Sequence, residues 1–169
     1  MTLPGRTLHL LRHAHSSWAL PGQRDHERPL DDRGRQDAAS LAENLRIEPP
    51  CVDRILCSTA SRARETLAII RPALPSDLAV DFSDDLYALG LQAYHAAARR
   101  HRACAGVLLV GHNPTIEEFV AAFCASGSPQ AFETIRQGVG TAHWLTIELP
   151  GGDTPSLRLH GILRGVRTP

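Results

Sequence analysis

Lysine is absent from the 169 residues: all eighteen basic side chains are arginine. A P-loop lysine, a Schiff-base lysine and a lysine general base are therefore excluded. Eighteen acidic residues balance the arginines, so the chain lacks the excess positive charge that draws proteins to nucleic acid or anionic membranes. Neither is expected as a partner, and any anion must be bound locally. No apolar run approaches the roughly 20 residues of a membrane span, and no charged-then-apolar leader precedes Arg12. A soluble, cytoplasmic protein is expected. The four cysteines (Cys51, Cys57, Cys104, Cys124) show no C-x-x-C spacing, and a chain of this size needs no disulfide framework, so reduced and mostly buried thiols are expected. Internal repeats and low-complexity tracts are missing too. The length suits a single domain spanning residues 1–169.

Apolar runs that alternate with helical periodicity predict an α/β domain. The expected architecture is doubly wound, with a mainly parallel sheet and helices on both faces. Strands are expected at Thr7–Leu11, Arg54–Cys57 and Val107–Val110. The last is an unbroken apolar run between Gly106 and Gly111, the pattern of a strand covered on both faces. Alternating stretches at His143–Leu149 and Leu157–Ile162 flank Pro150-Gly151-Gly152-Asp153 and predict an antiparallel C-terminal hairpin. Between Arg33 and Arg46, Ala38, Leu41, Ala42 and Leu45 form one helical face, with Asp31 as N-cap. A second helix is expected from Ala60 to Arg71, capped by Ser58 or Thr59 and closed by Pro72. A third begins at Asn113-Pro114, with Asn113 as N-cap, and a weaker one covers Leu91–Arg102.

On this layout His13 follows the first strand, Ser58 and Arg62 follow the second, and His112 follows the third. All lie at strand carboxyl ends, where open α/β sheets bind ligands. Arginine forks and helix N-termini both suit phosphate oxygens. A neutral imidazole is a competent nucleophile near neutral pH and divides one displacement into two easier ones, which makes His13 the candidate nucleophile. Arg12 and Arg62 would hold the transferring group and offset its charge, so no metal or other cofactor is required. His112 would donate to the same oxygens.

These residues resemble the histidine phosphatase (phosphoglycerate mutase-like) superfamily, and the short chain resembles its SixA-type phosphohistidine phosphatase branch. The resemblance rests on four motifs in order: Arg12-His13-Ala14; Arg28-Pro29-Leu30 with Gly34; Ser58-Thr59-Ala60-Ser61-Arg62-Ala63 with Thr66; and Gly111-His112-Asn113-Pro114. It implies metal-independent dephosphorylation through a phosphorylated His13, with Arg12, Arg62 and His112 as the phosphate pocket and Ser16, Ser58 and Asn113 as further substrate-binding residues. Where the mutases carry an acidic residue and an asparagine, this chain has His15 and Ala19, so mutase activity is not implied. The long insertion bearing a proton-donating glutamate is also missing between Arg71 and Gly106. Asp25 matches a common acidic position of the small branch and ranks first as proton donor, ahead of Asp84 and Asp85.

An imidazole leaves phosphorus more readily than an alkoxide, so a missing strong acid tilts the reading toward phosphohistidine proteins or related phosphoramidates. A phosphorylated protein or a small phosphorylated molecule is the expected partner. The alternatives are a phosphomonoesterase for a small metabolite, a metal-dependent hydrolase built on His13, His15, Asp25 and His112, and a non-catalytic phosphoanion-binding module. Each residue also has a plainer role: a lone histidine after a strand usually caps or faces solvent. His15 is read as a pocket-rim residue, Ser16 and Ser17 as loop builders or phosphate ligands, and Trp18 as packing beneath its loop.

Overall fold

A strand near the middle of the sheet, flanked by parallel neighbours on both sides, is the one whose sequence is apolar at every interior position. In the computed structural model, which describes residues 6–149 and 161–169, Gly106–Gly111 is buried along its whole length. Around it the described chain runs β1 (Arg6–Arg12), α1 (Asp32–Ile47), β2 (Arg54–Ser58), α2 (Ser61–Ile70), β3 (Ala79–Ser83), α3 (Asp85–Ala88), α4 (Leu91–Arg100), β4 (Gly106–Gly111), α5 (Thr115–Phe123), β5 (Cys124–Gly127), α6 (Pro129–Arg136), β6 (Trp144–Leu149) and β7 (Gly161–Arg167). Short 3-10 turns occupy Asp25–Glu27 and Arg71–Ala73.

The seven strands form one sheet in the order β3-β2-β4-β1-β6-β7-β5. Strands β3, β2, β4 and β1 are mutually parallel, β6 is antiparallel to both β1 and β7, and β5 runs parallel to β7. This is the expected doubly wound, mainly parallel α/β sheet with an antiparallel C-terminal pair. Its two faces carry separate cores. Leu8, Leu10, Val107 and Leu109 pack with α4 and α5 through Tyr94, Ile116 and Phe119. Leu11, Ile55, Leu108 and Val110 pack with α1 and α2 through Leu41, Leu45, Leu67 and Ile70. That segregation follows from the two-residue period of a strand.

Several boundaries differ from expectation. Helix α5 starts at Thr115, and Pro114 rather than Asn113 takes the cap position without a side-chain cap. The Asn113 amide is committed elsewhere: it donates to Glu117 Oε1 and to the Val139 carbonyl. Helix α2 is preceded by Ala60, which has no capping side chain, while the Ala60 N–H donates to Ser58 Oγ at 3.3 Å. Asp31 caps α1 as expected, its Oδ1 accepting from the Gly34 N–H at 2.8 Å. Of the predicted final strand, residues 161–162 fall within β7, whereas 157–160 and the intervening turn lie outside the described residues. Trp18 does not pack under its loop but is 94% exposed. Polar side chains hold that loop instead, as the site geometry shows. The thiols are free; Cys57 and Cys124 are buried and Cys51 is exposed.

Candidate active site

Strand register brings the sequence-distant residues together. Arg12 lies opposite Gly111 and Cys57 opposite Val110. His13, Ser58 and His112 therefore leave the sheet side by side at one edge, and the His13 N–H donates to the Gly111 carbonyl at 3.0 Å. The His13 and His112 rings stand 5.1 Å apart between centroids.

The His13 imidazole is buried and its two nitrogens have distinct duties. Nδ1 lies 2.7 Å from the Ala14 carbonyl, which can only accept, so Nδ1 carries the proton. Nε2 is left as an acceptor, and Arg62 Nε donates to it at 3.2 Å. Burial, only partly offset by the Ala14 hydrogen bond and reinforced by the charges of Arg62, Arg12 and Arg28, pushes the His13 pKa down to about 4. The ring is neutral at pH 7. Its loop is tied to α2 by the buried Thr66, whose Oγ1 accepts from the Ala14 N–H at 2.9 Å and donates to the Arg62 carbonyl at 2.6 Å.

Arg62 is buried in the first turn of α2, where a cation requires a compensating anion. Asp25 supplies it. Arg62 Nη2 donates to Asp25 Oδ2 at 3.0 Å, and Nη1 donates to the Asp25 backbone carbonyl at 2.7 Å. The Tyr87 hydroxyl donates to the same Oδ2 at 2.9 Å, and Arg28 forks onto Oδ1. Burial would raise the Asp25 pKa, but the Tyr87 hydrogen bond, the Arg62 charge and Arg28 outweigh it and hold it near about 2. Asp25, the residue expected to donate a proton, is thus an ionised anchor for two arginines.

His112 places Nε2 2.8 Å from Ser58 Oγ. Among the described residues Nε2 is the one acceptor within reach of that buried hydroxyl, so Ser58 donates to it and the His112 proton sits on Nδ1. His112 Nδ1 is buried with no partner among the described residues, and so are Arg12 Nε and Asn113 Oδ1. Two of these three are donors with the chemistry a phosphoryl oxygen requires. Burial, followed by the neighbouring His13 and Arg62, pushes the His112 pKa down to about 3. Arg12 is held by one donor, Nη1, to the Val139 carbonyl at 2.6 Å.

The remaining expected residues lie at the rim. Ser16 Oγ donates to the Pro29 carbonyl and, with the Ser16 and Ser17 carbonyls, receives Arg28 Nη1, so Ser16 builds the loop. His15 Nδ1 lies 2.6 Å from Asp31 Oδ2, which also accepts from Ser17 Oγ. Both N–H groups of the Asn113 amide are used within the protein, so neither is left for a phosphoryl oxygen. Asp84 accepts from Thr59 Oγ1, and Asp85 is exposed in the single turn of α3. A metal centre on His13, His15, Asp25 and His112 does not assemble: among the described residues no group of three or more His, Cys, Asp or Glu side chains is placed to hold an ion. The Arg62 cation at the His13 lone pair would also repel one. Tyr87, His26 and Glu117 are contributors that local sequence reasoning missed, while Thr66, part of the motif around Arg62, gains its role from the tertiary contacts. Tyr87 sits edge-on to His112 at 5.5 Å and lies 5.9 Å from the Arg62 guanidinium carbon, while His26 buttresses Tyr87 and pairs with Thr59.

One buried and one half-buried arginine, two neutral histidines and orphaned donors at the carboxyl edge of a doubly wound sheet define an α/β protein with a pocket suited to a phosphoryl anion. The sequence profile of the histidine phosphatase superfamily (branch 1) matches residues 8–90. A structure from Agrobacterium tumefaciens assigned to phosphohistidine phosphatase SixA superposes with a TM-score of 0.81 at 27% identity, covering 96% of this chain and 98% of that one. Phosphohistidine phosphatase SixA of Escherichia coli is 26% identical over 141 residues, 77% of this chain and 88% of that protein. An uncharacterised chloroplastic protein of Arabidopsis thaliana is 52% identical over 62 residues, a match that spans 37% of this chain and only 28% of the plant protein. The chain belongs to the histidine phosphatase superfamily, and it matches SixA-type members along nearly its full length.

Proposed function

We propose that the chain is a metal-independent phosphatase that works through a phosphohistidine on His13 and acts on phosphohistidine proteins or related phosphoramidates. The observation that carries this reading is the state of His13: a buried, neutral ring whose Nδ1 proton is fixed by Ala14 and whose Nε2 lone pair faces Arg62. In the first step that lone pair forms an N–P bond as the bond to the leaving imidazole breaks, and the imidazole takes its proton from solvent. In the second, water attacks phosphorus, the His13 N–P bond breaks, His13 recovers the neutral lone pair, and the water proton is lost to solvent. Arg12, Arg62 and the His112 Nδ1–H stabilise the charge on the equatorial oxygens in both steps.

Asp25 supports the choice of substrate. A carboxylate held near about 2 has no proton to give an alkoxide, whereas an imidazole departs with less assistance. The SixA-type relatives are named for phosphohistidine, which agrees.

Incubation with a phosphoryl donor is expected to give acid-labile, base-stable label on the wild-type protein and none on His13→Ala. Label or turnover that survives this substitution would refute the nucleophile. Comparing a phosphohistidine protein with small phosphomonoesters under one set of conditions tests the substrate; preference for the esters would move the assignment to a small metabolite. Turnover should persist after EDTA treatment.

A further inference from the structure

Arg12 and Arg62 are held in different ways. Arg62 is paired directly with Asp25, whose carboxylate takes one of its N–H groups and whose backbone carbonyl takes another. Among the described residues Arg12 pairs with no carboxylate. A single N–H reaches the Val139 carbonyl, Nε stays unpartnered among the described residues, and most of the fork is left free. The Val139 peptide that receives it comes from the loop after α6, which turns through Gly138 at φ +98°. Glu117, in the first turn of α5, holds Val139 from the N–H side: its Oε1 accepts from the Val139 N–H, one peptide unit before the carbonyl that receives Arg12, at 2.7 Å and from Asn113 Nδ2 at 2.8 Å. The second Asn113 proton returns to the Val139 carbonyl at 3.0 Å. One carboxylate oxygen therefore holds Val139 twice, at its N–H directly and at its Arg12-facing carbonyl through Asn113.

Resting on the reading of Arg12 as a phosphate ligand, we propose that Glu117 is the positioning residue for Arg12, acting through the Val139 backbone and the Asn113 amide that bridges to its carbonyl. A direct ion pair would consume the fork that must bind phosphate. Transmission through a peptide fixes the guanidinium while leaving its donors open, and the charge of Glu117 favours the half-buried cation against the cost of its burial. Asn113 is oriented unambiguously here, because turning its amide over would set its oxygen against two acceptors.

The test is a double-mutant cycle read by calorimetric binding of inorganic phosphate to the full chain. Glu117→Ala is expected to weaken phosphate about tenfold, the scale of one hydrogen bond to a charged group. Glu117→Gln, which keeps the acceptor, should recover to within about threefold. Arg12→Ala with Glu117→Ala should bind no more weakly than Arg12→Ala alone, because removing Arg12 removes what Glu117 positions. Losses that add across the two sites overturn the proposal and leave the phosphate pocket standing. Wild-type protein that binds no phosphate overturns the pocket and this proposal together. If Glu117→Ala does not fold, Glu117→Asp withdraws the acceptor while keeping the charge and must show the same coupling to Arg12.

Discussion

At the scale of single residues, the site is governed by which nitrogen holds a proton. His13 and His112 are both kept neutral by burial beside arginines, one with its Nδ1 proton on Ala14 and the other with Nε2 against Ser58. An NMR titration of the His13 ring nitrogens should show the Nδ1–H tautomer and a midpoint near about 4. The Arg62→Ala variant, which removes one of the lowering charges, should titrate higher. A wild-type midpoint near the ordinary 6.5 would contradict the buried, arginine-facing geometry. The identities of His13, Arg12, Arg62 and His112 were legible because each immediately follows or ends a recognisable strand or opens a helix. The role of Asp25 was not legible. Its anchoring depends on Arg62 and Tyr87, which stand 37 and 62 residues further along the chain, and Tyr87 carries no local signal.

At the scale of elements, two small side chains set how closely the His13 loop approaches its helices. A Cβ at Gly34 would stand 1.9 Å from the His15 carbonyl oxygen, a backbone atom that cannot swing aside. Gly34→Ala would gain about 1 kcal/mol of helix propensity. Overpacking of this kind costs about 1–3 kcal/mol, and a backbone clash lies at the upper end, so the clash wins. A lower urea midpoint and reduced activity are expected; a variant more stable than wild type would show that the loop can yield. Thr66→Val keeps the shape but strands the buried Ala14 N–H and should cost about 1–3 kcal/mol, checked by chemical denaturation. Two of the elements missed from sequence share a reason. Strand β3 is an edge strand exposed at alternate and adjacent positions, and α3 is one turn long, so neither shows a period. Helix α6 did carry a signal, Ser128-Pro129 at its start, with Ser128 accepting from the Ala131 N–H.

At the scale of the molecule, three buried histidines make the fold sensitive to acid. His9 sits deep in the sheet, accepting from Trp144 Nε1 on Nδ1 and facing the Cys51 carbonyl through Nε2, and its burial pushes its pKa down to about 4. With His13 near about 4 and His112 near about 3, the folded state binds fewer protons than the unfolded chain, whose histidines titrate near 6.5. Stability is therefore fully present above pH 6.5 and is lost as pH falls from 6.5 through about 4 for His9 and His13 and on to about 3 for His112. The loss is on the order of several kcal/mol, since one pKa unit is about 1.4 kcal/mol. Urea midpoints measured across this range should fall steeply, and less so in His9→Gln; a flat profile would contradict the burial of these rings. The carboxylates Asp25 and Asp31, both held near about 2, act in a separate window below their ordinary 3.8.

The sequence by itself determined the class of fold and the cast of the site. Hydrophobic period and turn residues are local properties, and they place His13, Ser58, Arg62 and His112 at strand ends whatever the details of packing. Tertiary structure alone decided protonation and geometry: that Asp25 is an anchored carboxylate, that Asn113 serves Val139 instead of capping a helix, that Trp18 faces solvent, and that Glu117 and Tyr87 belong to the site. Those outcomes depend on burial and on partners dozens of residues away, and neither quantity is encoded in any short stretch of chain.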